Sequence, residues 1–472
     1  MKRVILYAFC LANLFACNGQ DSISKSDNFP TDLESKVDKL VKEYTDLGIF
    51  SGVVLIAEEG EPIYHKAFGL ANQETKTPNK LDTRFDIGSM NKSMTKVLIL
   101  NLVKEGKLKL DDKLGQFLDG FPKVAAKKIT INHLLNHQSG YGDYHMPEYW
   151  EIPLEEKSLA VCVDFIKKLP LLFAPGKEQE YSNAGYVLLG AIAEKATGKS
   201  YYDLIEEYIT KPLKMENTFL RNKYSVTNRA VGYFKNFKGE LMDNEDFQEI
   251  PTPAGGFYST TEDMLTFYRA FHYGNQLWDE ATRSMDEMYG FYQEHQNTGG
   301  AMTHAGGFEG ANTVHYEILR DKISVIVFAN MDEPVAENLG AGILAIIREK
   351  KPESPTLPAN QLVYKKWKEK GPDYVRKNWE TLTVNFHPSD PKDLILNAIG
   401  YDLFFNGEID EALEIFKLNT ELFPNIGNCW DSYGEALLKK GRKEEALQVY
   451  KKALEINPNI PSAKKAVEEL EN

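Results

Sequence analysis

Ser89 and Lys92 stand three residues apart in the run Phe85-Asp-Ile-Gly-Ser-Met-Asn-Lys-Ser-Met-Thr95, an S-x-x-K element. On a helix, residues at that spacing share a face, so the Lys92 amine would reach the Ser89 hydroxyl. A serine hydroxyl is a weak nucleophile until a neighbouring base accepts its proton. Here nucleophile and base would lie in one turn of chain. The spacing is frequent by chance, so it gains meaning only from partners elsewhere.

Two further elements follow in order. Tyr181-Ser182-Asn183 comes after Phe173-Ala-Pro-Gly-Lys-Glu-Gln-Glu180, and His304-Ala305-Gly306-Gly307 comes later. This set resembles the serine hydrolases of the class C β-lactamase and D,D-peptidase type, whose three motifs are S-x-x-K, Y-x-N and K/H-x-G. The similarity extends to Thr130-Ile-Asn-His-Leu-Leu-Asn-His-Gln-Ser-Gly-Tyr141, the stretch Tyr186 to Ser200, Ala254 to Asp263 and the strand Ser324 to Asn330.

The resemblance implies an acyl-enzyme on Ser89, formed with an ester, amide or lactam carbonyl. It implies that Tyr181 takes the serine proton and later activates the deacylating water. A phenol titrates near pH 10 when unperturbed, so Tyr181 would need cations nearby, Lys92 first and His304 in support. Asn183 would hydrogen-bond Lys92 or the substrate amide. The N–H groups of Ser89 and Gly307 would form an oxyanion hole, with Gly306 and Gly307 permitting close approach. His304 stands where many β-lactamases carry a lysine that meets the substrate carboxylate. That departure points away from β-lactams and D,D-peptides and toward esters or amides.

The elements that must hold these residues can be read along the chain. Leu33 to Leu47 reads as an amphipathic helix. Gly52 to Ala57 and Pro62 to Phe68 read as a hairpin around Glu59-Gly60. Residues 85 to 285 are mostly helical with long loops. Ala311 to Ile318 and Lys322 to Asn330 form a second hairpin, with His304 on an edge strand before it, and 334 to 350 is a closing helix. Strands at both ends of a helical insertion suggest an α+β fold: one antiparallel sheet built from both ends, flanked by helices, plus a helical subdomain. The resemblance implies the same β-lactamase/transpeptidase-like architecture.

Residues 31–350 thus form the hydrolase domain. Lys350-Lys-Pro-Glu-Ser-Pro-Thr-Leu-Pro358 breaks the composition and opens a linker and helical segment over 351–390. Over 391–472 a repeat emerges at an offset of 34 residues: Gly400 with Gly434, Leu403 with Leu437, Glu411-Ala412-Leu413 with Glu445-Ala446-Leu447, Phe416 with Tyr450, Pro424 with Pro458. This is the tetratricopeptide period, an all-α module. Two repeats are few for a stable stack, so 361–383 and the final helix 462–471 are expected to complete it. The module offers a docking surface for a protein partner.

At the other end, Met1-Lys-Arg3 and the apolar Val4 to Phe15 form a signal segment, and Leu14-Phe-Ala-Cys17 resembles a lipoprotein box in which Cys17 is lipidated. The alternative is an ordinary secretory signal cut nearby. Either places the enzyme outside the cytoplasm, with 1–17 removed up to the lipidated residue and 18–30 as a tether. The only expected membrane contact is the lipid anchor.

Length and composition agree. A chain of 472 residues with 42% hydrophobic and 26% charged residues suggests two or three globular domains. A net charge of -14 argues against a nucleic-acid partner. Cys162 and Cys429 fall in different domains and read as buried free thiols. No G-x-S-x-G occurs, which argues against an α/β-hydrolase elbow, and no H-E-x-x-H occurs either. His133 and His137, with Asp143 or His145, could chelate a metal, but they fit better as packing and loop-bonding groups, so neither metal nor cofactor is expected. Tyr141 to Trp150, aromatic and loop-like, would line the cleft entrance. The reading is an extracytoplasmic serine hydrolase on a small-molecule or peptide substrate. The alternative is a catalytically silent receptor on the same fold.

Overall fold

The computed structural model of the protein describes residues 29–247, 249–384 and 391–471. The signal segment, Cys17 and residues 18–28 of the tether lie outside the described residues. The chain divides into two units, one running to Phe234 and resuming over Met242–Pro355, the other comprising Lys235–Leu241 and the chain from Thr356 onward.

In the first unit, β1 (Gly52–Glu58) and β2 (Glu61–Phe68) form a hairpin. Both turn residues have positive φ, 52° at Glu59 and 92° at Gly60, the two-residue turn whose twist suits antiparallel strands. Strands β3 (Ala301–Phe308), β4 (Ala311–Ile318) and β5 (Ile323–Ala329) complete one sheet in the order β2-β1-β5-β4-β3. The two ends of the unit meet at its centre, where Gly52 lies opposite Ala329.

Strand β1 reads Val53-Val-Leu-Ile-Ala57 without polar alternation because both its faces are covered. On one face Val54, Ile56, Val325 and Val327 meet α1 (Leu33–Asp46) and a closing helix, Val335–Ile347, through Val37, Leu40, Leu339 and Ile343. On the other, Val53, Leu55, Ile326 and Phe328 join a second core with α2 (Lys92–Lys104), α3 (Asn183–Thr197) and α4 (Thr261–His272). The closing helix is α5. Each fully buried aliphatic side chain contributes about 1.5–3 kcal/mol, so the sheet is a stiff floor with β3 as one edge. The helical insertion also holds a strand pair invisible in the sequence pattern, Phe85–Asp86 with Tyr258–Ser259. Two residues carry no periodicity, yet this pair ties the Ser89 turn to the Ala254 loop.

The second unit is helical. Residues 351–358 form no regular element. Then come α6 (Ala359–Lys370), α7 (Pro372–Leu382), α8 (Asp393–Phe405), α9 (Ile409–Leu422), α10 (Gly427–Lys439), α11 (Lys443–Ile456) and α12 (Pro461–Glu471). Residues 34 apart hold equivalent places. A Cβ on Gly400 would lie 2.4 Å from the Phe416 ring, and one on Gly434 2.9 Å from that of Tyr450. Glycine lets each helix pair close onto an aromatic ring. Val363, Trp367, Val375 and Trp379 from α6 and α7 share this core, which covers what a two-repeat stack would leave open. Among the described residues no helix is long and apolar enough to cross a membrane.

Candidate active site

Gly88–Asn91 forms a 3-10 turn that runs straight into α2. In 3-10 geometry residues i and i+3 eclipse, so Lys92 stands over Ser89, its Nζ 2.9 Å from the Ser89 Oγ. Gly88 starts the turn at φ 49° and donates its N–H to Asp86 Oδ1 at 2.8 Å. From the other side the Tyr181 hydroxyl donates to Ser89 Oγ at 2.8 Å. Ser182 caps α3 by accepting the Gly185 N–H at 2.9 Å, which fixes where Asn183 emerges. Asn183 Oδ1 then accepts from Lys92 at 2.7 Å, and the Ala254 carbonyl accepts from Lys92 as well.

Charge states follow from burial. Lys92 is buried, which pushes its amine well below the usual lysine value, against an opposing pull from Asp143. A neutral amine has two N–H bonds and one lone pair. In that state Asn183 and Ala254 would take the N–H bonds, leaving the lone pair for the Ser89 hydroxyl. Burial pushes the Tyr181 phenol well above its usual value; the Ser89 contact opposes this, and Tyr186, Asp143 and Glu333 add to it. His137 stacks on the Tyr181 ring, with centroids 4.7 Å apart, and accepts the Ser182 N–H at 3.1 Å. Burial brings His137 down to about 3, so it is a neutral acceptor. His133 caps its own helix by accepting the Thr130 N–H at 3.4 Å.

The end of β3 meets the Ser89 turn backbone to backbone. A Cβ on Gly306 would fall 2.1 Å from the Ile87 carbonyl oxygen and 2.7 Å from the Ser89 nitrogen. One on Gly88 would fall 2.6 Å from the Gly307 nitrogen. Only glycine permits this approach. Glu333 lies over Gly307, where a Cβ would sit 1.1 Å from its Oε1. Desolvation of that carboxyl, reinforced by Glu337, Asp332 and Glu309, pushes it up to about 8, although the residue as a whole is exposed.

Ser89, Lys92, Tyr181 and Asn183 thus share one network, and Gly306 and Gly307 abut it. The His304 side chain lies apart from it. Its Nδ1 sits 3.4 Å from Ser93 Oγ, and its ring lies among Tyr268, His272, Phe271 and His315. Burial holds it well below the usual histidine value, so it supplies no positive charge.

Sequence reasoning missed a charged cluster behind Asn183. Asn183 Nδ2 donates to Asp143 Oδ1 at 3.2 Å, His145 Nδ1 lies 2.8 Å from the same oxygen, and His145 Nε2 lies 3.4 Å from Glu249 Oε2. Burial disfavours the charged His145, but Asp143 and Glu249 outweigh it and raise the imidazole to about 9. Desolvation opposes ionisation of the half-buried Asp143, but its contacts with His145 bring it down to about 2. Asp143 and His145 were legible only as a possible chelate, because Glu249 is remote in sequence. Tyr144 and His145 line a solvent-open cleft of about 710 Å³ with Ser89, Asn183, Lys223 and Phe308. Since His145 is raised above its unfolded value of 6.5, its stabilisation is complete below pH 6.5 and is lost as pH rises through about 9. His145→Gln should therefore flatten the decline of Tm between pH 6.5 and 9 in thermal unfolding. An unaltered slope would show that His145 is not charged.

Comparison with known proteins follows the same outline. The Beta-lactamase family model matches residues 37–347, and a tetratricopeptide repeat model matches 427–460. The chain is 30% identical over 315 residues to Penicillin-binding protein 4* of Bacillus subtilis (strain 168), covering 60% of this chain and 69% of that one. It is 27% identical over 331 residues to the D-aminopeptidase of Brucella anthropi, covering 65% and 60%. It is 32% identical over 243 residues to Esterase EstB of Burkholderia gladioli, covering 47% and 59%. The chain therefore spans less than two thirds of the last two. Among solved structures, a penicillin binding protein from Bacillus halodurans superposes with a TM-score of 0.54 at 26% identity, covering 66% of this chain and 98% of that one.

Proposed function

The chain belongs to the beta-lactamase family of serine hydrolases, and from that premise we propose that Ser89 is its acylated nucleophile and Lys92 the base. The observation that carries this is the placement of Ser89 Oγ between Lys92 Nζ at 2.9 Å and the Tyr181 hydroxyl at 2.8 Å. Lys92, held neutral, takes the Ser89 proton as Oγ bonds to the substrate carbonyl carbon. The oxyanion forms beside the Ser89 and Gly307 N–H groups, whose approach Gly88 and Gly306 permit. The bond to the leaving oxygen or nitrogen then breaks, and Tyr181, still a phenol, passes it a proton that Lys92 replaces. Water repeats the sequence in reverse against the acyl-enzyme, and Ser89 regains its proton. Asn183 keeps the Lys92 amine aimed at Oγ.

We read the substrates as esters or amides without a carboxylate beside the scissile bond. A neutral His304, turned toward Ser93, supplies no cation for such a carboxylate, and the charged His145 that lines the cleft is already held by Asp143 and Glu249. Lys223 lines the cleft, but burial lowers its amine and it donates to the Phe247 carbonyl at 3.0 Å. Similarity to an esterase and a D-aminopeptidase supports the reading. Short-chain p-nitrophenyl esters, D-amino-acid amides and a cephalosporin should separate the classes. Esters or amides should exceed the cephalosporin in kcat/KM by roughly 100-fold or more, on the scale of one lost charge-assisted contact. Equal turnover of the cephalosporin would refute the specificity. The enzyme acts outside the cytoplasm, anchored through Cys17, with its repeats docking a protein partner.

A further inference from the structure

Beneath the active site, three histidines converge from three elements. His272 ends α4, His304 lies on β3 and His315 lies opposite it on β4. One ring nitrogen of each falls in a group whose members all lie within 4.8 Å of one another. His272 Nε2, His304 Nε2 and His315 Nδ1 are each buried with no hydrogen-bond partner. The His315 side chain is completely buried. Buried polar atoms are nearly always satisfied, so three orphans aimed at one space ask for an occupant.

The surroundings specify what it is. The opposite nitrogen of His315 lies 3.1 Å from Glu317 Oε2, and that of His304 lies 3.4 Å from Ser93 Oγ. Each therefore has a partner that can take its N–H and turn its free lone pair inward. A carboxylate behind a ligating imidazole is a recurrent outer-shell arrangement in metal sites. Glu317 is itself buried, and its further partners are the hydroxyls of Tyr273 and Ser324. No Lys or Arg pairs with it among the described residues, so His315 is its ion-pairing neighbour there.

We propose that His272, His304 and His315 form a binding site for a divalent transition-metal ion of the zinc class, with Glu317 orienting His315. Three imidazoles suit zinc, with a fourth position left for water. Zinc–nitrogen bonds of about 2.1 Å in a tetrahedron put the nitrogens roughly 3.4 Å apart, so the group would draw in slightly on loading. The ion would pin α4 to β3 and β4. It would thereby fix the strand that carries Gly306 and Gly307 against the Ser89 turn. It takes no part in the proton transfers assigned to Lys92 and Tyr181.

The test uses the untagged full chain, stripped with a chelator and titrated separately with Zn²⁺ and Co²⁺. Elemental analysis after desalting should find one ion per chain. The Co²⁺ form should show the strong visible bands of a tetrahedral site, and Zn²⁺ should raise Tm by several degrees. His272→Gln should abolish binding. Glu317→Gln should weaken it by roughly 10–100-fold, the loss usual for an outer-shell partner, and serves if His272→Gln fails to fold. A wild-type chain that holds less than about 0.1 ion and gains no Tm would overturn the proposal. So would full occupancy in His272→Gln, which would place the metal elsewhere. A bridging water would give the first of these results.

Discussion

Ser89→Ala should reduce ester and amide hydrolysis by several orders of magnitude while leaving Tm and the circular dichroism spectrum close to wild type. The size follows from the chemistry. Without Oγ there is no acyl-enzyme, and knocking out a covalent nucleophile typically costs about 10⁶-fold in kcat. The fold should tolerate the change because the hydroxyl's partners, Lys92 and Tyr181, are polar catalytic neighbours rather than apolar packing contacts. A fluorophosphonate probe should label the wild type and not the variant. Residual turnover within tenfold of wild type would remove Ser89 from the mechanism. Labelling at another serine would move the site.

The legible part of this protein is the part in which chemistry and local geometry coincide. Ser89 and Lys92 lie within one turn, so a spacing of three was enough to pair them. The 3-10 start of the helix only sharpened the alignment. The central strands were readable as apolar runs because both their faces are covered, and the repeats because Gly400 and Gly434 meet Phe416 and Tyr450 in the same way. What stayed hidden depends on contacts distant in sequence. The Ala254 carbonyl reaches Lys92 across a gap of more than 150 residues, through a strand pair only two residues long. His145 is charged because Glu249 and Asp143 converge on it. The direction of the His304 ring, toward Ser93 and His272 rather than Tyr181, is set by packing that no motif encodes.

Lys92 joins catalysis and stability in opposite senses, and that gives the sharpest remaining test. Its folded pKa lies below the unfolded lysine value of 10.5. Below that pH the unfolded chain gains a proton that the folded chain resists, so this residue weakens the fold as pH falls toward its folded pKa. Lys92→Met keeps the length of the side chain and removes the penalty. It should raise Tm at neutral pH, by an amount worth about 1 kcal/mol or more, as when other functional strain is relieved. Activity should meanwhile fall by about 10³-fold or more, because Ser89 loses its proton acceptor. Tyr181→Phe should also cost activity, through the lost proton return to the leaving group. If Lys92 and Tyr181 serve one proton path through Oγ, the double variant should lose far less than the product of the two single losses. The acid limb of kcat/KM should persist in Tyr181→Phe, since a neutral Lys92 is what it reports. An acid limb that vanished with Tyr181 would assign the base to the phenol and leave Lys92 as its supporting charge.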